Sequence, residues 1–292
     1  MATAAGIMPL PTFLYVGAAR SASTYIFQIL KEHPEVFTPE AKDLYFFNRN
    51  YARGLDWYAG FFSGAEKFGA AGECTMDYFV DPRCAERIKR DMPWCKILCC
   101  LREPVERTFD HYYWERLTFH YVSRQAFKNG LSFVDFARKP AIRSLGSYYE
   151  NLKPYYQYFP RDQILVLFLD ELYQDNLSFV RKIYKFLRVS EHFVPPSLNK
   201  RVNPLRTARF PLITDVGYRF GNYLRSTGRP GLVSRLRDLD WFNRLMFKRV
   251  TKDPRVLKEA VPVLWPLYHR HDRSLADLIG RPLPPSWQAD IF

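Results

Sequence analysis

Two short runs, Lys96 to Leu101 and Gln163 to Leu169, are apolar at nearly every position. A strand with one wet face alternates apolar and polar residues, so a run without alternation must be covered on both faces. Strands of that kind belong to a parallel sheet whose crossover helices supply the cover. The segments between them fit. Thr12 to Gly17 reads as a first strand, and Ser23 to Glu32 as an apolar-periodic helix closed by His33-Pro34. Glu73 to Phe79 reads as a short strand, and Asp81-Pro82 opens a helix to about Arg90. Pro104 begins a helix to about Phe119, followed by helices over Gly146 to Phe159 and Asp175 to Leu187. Phe37 to Phe62 is aromatic and irregular.

The fold expected is therefore α/β, with three layers: a central parallel sheet flanked by helices. The core spans about 10–190. From about 200 to 292 no comparable strand run occurs. Helices are expected at Leu212–Leu224, Val233–Val250 and Pro254–Ile279, forming a C-terminal cap on one domain that spans 1–292.

Hydrophobic residues make up 47% and aromatics 17% of the 292 residues, enough for a full core and against disorder. No apolar stretch approaches the ~20 residues needed to span a membrane. The N-terminus lacks the basic start and apolar run of a signal peptide. All five cysteines lie between Cys74 and Cys100, three of them in the run CKILCCL. Neighbours on a strand face opposite ways, which makes a poor disulfide framework, and no second Cys/His pair has zinc spacing. Buried free thiols in a reducing, cytoplasmic setting are expected. The net charge is +13, and residues 200–260 carry 15 Lys and Arg against 5 Asp and Glu. A basic surface of this kind selects anionic partners: nucleic acid, anionic lipid, or a phosphorylated or sulfated small molecule.

The first strand leads into Ala18-Ala19-Arg20-Ser21-Ala22 and then a helix. The leading N–H groups of a helix have no internal partners and carry partial positive charge, so a strand–turn–helix of this form holds anions. Against the pattern G-x-x-x-x-G-K-[ST], Gly17 and Thr24 fit, Ala22 replaces the second glycine, and Ser23 replaces the lysine. The turn is P-loop-like but lacks the lysine of an Mg-dependent NTPase. Arg20, Ser21, Ser23 and Thr24 still offer one cation and three hydroxyls. Arg102 follows the buried strand directly, where open α/β sheets bind ligands.

These segments resemble PAPS-dependent sulfotransferases, in the heparan-sulfate-like and bacterial branch. GAARSAST is similar to that family's 5′-phosphosulfate loop and LREPVER..DHY to its 3′-phosphate segment. The resemblance continues through PEAKDLYFF, GLDWYAGFF, GECTMDYF and LGSYYENLKPYYQYFPRDQILVLFLDEL. It resumes loosely at NPLR and at YHRHDRSLADLIGRPLPPSW. It implies sulfuryl transfer from 3′-phosphoadenosine 5′-phosphosulfate (PAPS) to a hydroxyl, in preference to an amine, leaving adenosine 3′,5′-bisphosphate (PAP). No metal is implied.

The resemblance implies that Arg20 meets the leaving oxygen, and that Ser21, Ala22, Ser23 and Thr24 cradle the 5′-phosphate. It implies that Arg102 binds the 3′-phosphate, with Asp110 where relatives usually carry serine. Asp43, in Lys42-Asp43-Leu44-Tyr45-Phe46-Phe47, matches a catalytic glutamate, with Glu73, Asp77 and His111 as reserve bases. Tyr148 matches an aromatic of the nucleotide site. Arg206 matches a basic C-terminal loop, with Lys200, Arg201, Arg107 and Arg143 as further cations. Cys74 stands where relatives often carry lysine.

The acceptor class implied is a small metabolite, saccharide or lipid-linked molecule, with no nucleic acid. The basic, aromatic segment Val233–Val250 offers a peripheral membrane contact, although a cap helix with its apolar face in the core and its Lys and Arg face solvated is the commoner explanation of such a segment. A second reading of the same residues is a non-catalytic PAP- or polyanion-binding protein of this fold. It rests on the departures at Arg20, Asp110 and Cys74.

Overall fold

Strand β1 (Phe13–Gly17) is buried at every position and lies at the centre of the molecule. The computed structural model describes residues 9–118, 122–200, 206–208 and 247–287, with no side chains described at 206–208 and 247–249. Around β1 are β2 (Val36–Phe37), β3 (Ala70–Cys74), β4 (Lys96–Leu101) and β5 (Ile164–Phe168), in the order β2-β3-β1-β4-β5. Every pairing in this sheet is parallel.

The missing alternation has the expected cause. Phe13 and Tyr15 of β1 and Leu98 and Cys100 of β4 pack on one face, with helices α1 (Ser23–Glu32) and α10 (Asn176–Leu187). Leu14 and Val16, with Ile97, Cys99 and Leu101, pack on the other, with α3 (Pro82–Asp91) and α8 (Tyr148–Tyr158). All five cysteines are free and buried.

Capping sets the helix starts. The Asp81 side chain accepts from the Arg83 N–H with Pro82 in the first turn, and Asp175 accepts from the Ser178 N–H. Helix α4 (Pro104–Thr118) begins on Glu103, whose carboxylate accepts from the N–H groups of Val105 at 2.8 Å and Glu106 at 2.5 Å. Short helices precede and follow it: α2 (Leu55–Ala59), α5 (Arg124–Lys128), α6 (Phe133–Arg138), α7 (Pro140–Ser144) and α9 (Leu169–Gln174).

Several expectations need correction. The strand placed at Glu73–Phe79 lies at Ala70–Cys74, and Met76–Val80 is a 3-10 helix. Alanine and glycine are weak strand formers, so Ala70, Ala71 and Gly72 hid the strand. Packing explains them: a Cβ at Gly72 would lie 2.4 Å from the Phe13 carbonyl oxygen. The helix expected over Pro254–Ile279 is two, α11 (Pro254–Tyr268) and α12 (Asp272–Ile279), parted at His269–His271. The end of the Val233–Val250 helix is instead strand β7 (Phe247–Arg249), paired antiparallel with β6 (Arg206–Ala208), so Arg206 is in a strand. The rest of that segment, Leu212–Leu224 and Arg201 lie outside the described residues. Helix α11 packs on α4 and α6, while Leu275 and Trp287 return to the core of the α3/α8 face.

Candidate active site

The chain leaves β1 toward β2 and leaves β4 toward β5, so connections diverge between two neighbouring strands. A crevice opens at their carboxyl ends, where α/β sheets take ligands. The turn after β1 and the residue after β4 form its two walls. The Ala18 N–H donates to the Cys100 carbonyl at 2.9 Å and ties them together.

On the first wall, Ala22 has φ 60° and Arg20 φ 66°, both left-handed. Glycine takes this conformation freely, and a Cβ costs roughly 1–2 kcal/mol there, which is the physical content of the glycine that Ala22 replaces. The Tyr15 hydroxyl pins the turn by donating to the Ser21 carbonyl at 3.1 Å. The Ser21 hydroxyl and the Arg20 Nε are buried without partners. No side chain caps α1, so its leading N–H groups face the crevice uncapped. Thr24, the second residue of α1, is half-buried. Orphaned donors around a bare helix N-terminus fit the phosphate group of a nucleotide.

Ser23 sits where a P-loop lysine would sit, and the Lys42 ammonium donates to its hydroxyl at 3.1 Å. Lys42 precedes Asp43, whose backbone is also left-handed, at φ 62°. Burial raises the Asp43 pKa, and Asp77 adds to it. Lys42, the Met76 N–H and Arg49 pull the other way without cancelling the rise. Its Oδ1 is buried and has no hydrogen-bond partner.

On the second wall, Arg102 donates through Nη1 to Asp110 at 2.6 Å and through Nη2 to Glu106 at 3.1 Å. Asp110 also pairs with Lys252, from just before α11. Burial raises the Asp110 carboxyl's pKa, but Arg102 and Lys252 outweigh it and hold the pKa below its ordinary value. The carboxylate is thus bridged by two cations. Arg20 belongs electrostatically to this cluster: burial lowers its pKa, Asp110 opposes that, and Arg102 and Arg107 add to the lowering.

The remaining candidates have other partners. Tyr148 is buried, and its hydroxyl donates to the Arg102 carbonyl at 2.7 Å, holding the strand end rather than facing the crevice. Glu73 accepts from the hydroxyls of Tyr58, Thr75 and Tyr78, at 3.1, 2.5 and 2.7 Å, which makes it a core node. Asp77 pairs with Arg49. Burial pulls His111 down to about 4, so it stays neutral, 3.6 Å from Glu115. Arg107 is fully buried beside Thr108. Lys42 and Lys252 are additions. The first was legible only as Asp43's neighbour, and nothing in the sequence links position 252 to position 110.

Among the described residues no group of three or more His, Cys, Asp or Glu side chains could hold a metal ion. No described helix is long and apolar enough to cross a membrane. A cavity of about 420 Å³, lined by Tyr112, Arg116, Phe127, Phe133 and Val256 among others, shares none of the site residues.

The crevice thus has an anion loop at one strand end and a half-buried arginine at the next. The sulfotransferase domain model matches residues 10–205. The chain belongs to the sulfotransferase family. It is 32% identical over 110 residues to a membrane-associated sulfotransferase of Dictyostelium discoideum, covering 37% of this chain and 23% of that protein. It is 26% identical over 194 residues to mouse heparan sulfate glucosamine 3-O-sulfotransferase 3B1, covering 63% and 47%. A solved sulfotransferase from Alicyclobacillus acidocaldarius superposes with a TM-score of 0.56 at 26% identity, over 80% of this chain and 99% of that one. The chain spans about a quarter to half the length of these two curated relatives.

Proposed function

We propose that this protein transfers a sulfuryl group from PAPS to a hydroxyl of a small metabolite, a saccharide or a lipid-linked acceptor, by in-line displacement and without a metal. The observation that carries this is Asp43: a half-buried carboxylate with a raised pKa and a buried, unpartnered Oδ1, beside a bare anion loop. A base must sit near the loop, keep a free lone pair and have a pKa above that of an ordinary carboxylate. Asp43 meets all three conditions.

PAPS supplies the sulfuryl group when bound. The N–H groups opening α1, with Ser21, Ser23 and Thr24, would hold its 5′-phosphate, and Arg102 its 3′-phosphate. Asp43 takes the acceptor's proton. Phe46 and Tyr58, stacked at 4.3 Å, are fully buried and belong to the core. We place the protein in the cytoplasm, a reading supported by its five free thiols.

The test is Asp43→Asn, assayed for PAP release from PAPS over a panel of saccharide, small-metabolite and lipid-linked acceptors. Turnover should fall by about 10²-fold or more, while calorimetric PAP affinity stays within about twofold. A fully active variant moves the base elsewhere. The engagement of Arg102 by two carboxylates favours a second reading, PAP binding without turnover. Tight PAP binding with no transfer to any acceptor in the panel would select it.

A further inference from the structure

In the loop after β1, position 23 has a hydroxyl where a P-loop has its cation, and Arg20 is the loop's own basic residue. The two cations have different neighbours. Arg20 is coupled to Asp110, Arg102 and Arg107, the cluster at the end of β4. The Lys42 ammonium lies 3.1 Å from the Ser23 hydroxyl, at the first residue of α1, and its charge also reaches Cys74 and Asp43.

We infer that Lys42 is a catalytic residue, the cation for the 5′-phosphate oxygen that leaves sulfur, and that Arg20 serves the 3′-phosphate instead. This rests on the sulfotransferase reading above. The Ser23 hydroxyl accepts from Lys42 at 3.1 Å and donates to the Met76 Sδ at 2.9 Å, so a phosphate seated on the α1 N–H groups would lie beside the Lys42 ammonium. As the acceptor oxygen bonds to sulfur, Asp43 takes the acceptor's proton. The bond from sulfur to the 5′-phosphate oxygen breaks, and Lys42 stabilises the electron pair that stays on that oxygen. An ammonium is a compact point charge beside the base, whereas the Arg20 guanidinium is a planar fork suited to a terminal phosphate. Charge-assisted hydrogen bonds of this kind are the strong ones.

The experiment is calorimetry of the full chain and of Lys42→Met, Lys42→Arg and Arg20→Ala with three ligands: PAP, adenosine 5′-phosphate and adenosine 3′-phosphate. Lys42→Met should weaken PAP and adenosine 5′-phosphate by about tenfold and leave adenosine 3′-phosphate unchanged. Lys42→Arg should recover part of the loss. Arg20→Ala should do the reverse, weakening PAP and adenosine 3′-phosphate most. Acceptor-free sulfate release from PAPS should fall in Lys42→Met by more than the loss in PAP affinity. A Lys42→Met protein that binds all three ligands as the parent does, or an Arg20→Ala protein that loses chiefly adenosine 5′-phosphate, overturns the inference. If the parent itself shows no preference for PAP over adenosine 5′-phosphate, the donor site as proposed fails first.

Discussion

At the scale of single residues the site is a set of charges placed in pairs. Asp110 looks repulsive beside a phosphate, but Arg102 and Lys252 clamp it and keep it ionised. In that position the carboxylate competes for cations a 3′-phosphate would use. Asp110→Ser removes the competitor. PAP affinity should rise by about tenfold, since contacts to charged groups contribute roughly 1.5–3 kcal/mol, with adenosine 5′-phosphate binding unchanged. The ligand-free variant should unfold more easily, because two partly buried cations lose a shared partner. A fall in PAP affinity would instead make Asp110 the organiser of the two cations. Asp43 was legible as a candidate base only through the resemblance of Lys42-Asp43-Leu44-Tyr45-Phe46-Phe47 to a catalytic segment. Its burial, its unpartnered oxygen and the reach of Lys42 were not, because they depend on β3 and the loop after β1 closing around it.

At the scale of elements, one strand and one helix join carry testable weight. Strand β3 approaches β1 so closely at Gly72 that Gly72→Ala should cost about 2–3 kcal/mol in denaturant titration. A loss near zero would mean that the two strands separate easily. Helix α11 ends at His269, whose ring meets Glu103 at 2.9 Å and Asp272 at 2.7 Å and stacks on Trp265. Burial lowers the imidazole pKa, but Asp272 and Glu103 together raise it above its ordinary 6.5. Stabilisation from the charged ring is therefore full below about 6.5 and fades as pH rises through the higher folded value. Thermal unfolding at pH 6 and pH 8.5 should show the parent losing stability across this window and His269→Gln losing much less. Equal losses would remove His269 from that role. The sequence hinted at a helix here, but the break between α11 and α12 follows from His269 bonding back to Glu103, 166 positions away.

At the scale of the whole molecule, the crevice joins both walls of the sheet, so a ligand spanning it should tie the fold together. With PAP at about a hundred times its dissociation constant the stabilisation is roughly 2.7 kcal/mol, and Tm should rise by roughly 5–10 °C. Adenosine 5′-phosphate at the same concentration should raise Tm less. Equal shifts would mean that only the loop after β1 is being read. The layered sheet, strands β1, β4 and β5 and the longer helices were readable in the amino-acid order, because burial on both faces erases the alternation that a half-exposed strand shows. So was the anion loop, since a helix N-terminus after a tight turn is a local feature. Three things followed from folding alone. These are the pairing of Asp110 with Lys252, the reach of Lys42 to Ser23, and the electrostatic coupling of Arg20 to Asp110 and Arg102. Each joins side chains distant in the chain or decides where a long side chain points. Hydrophobic period and local capping carry no information about either, and the packing of β1 against β3 and β4 does.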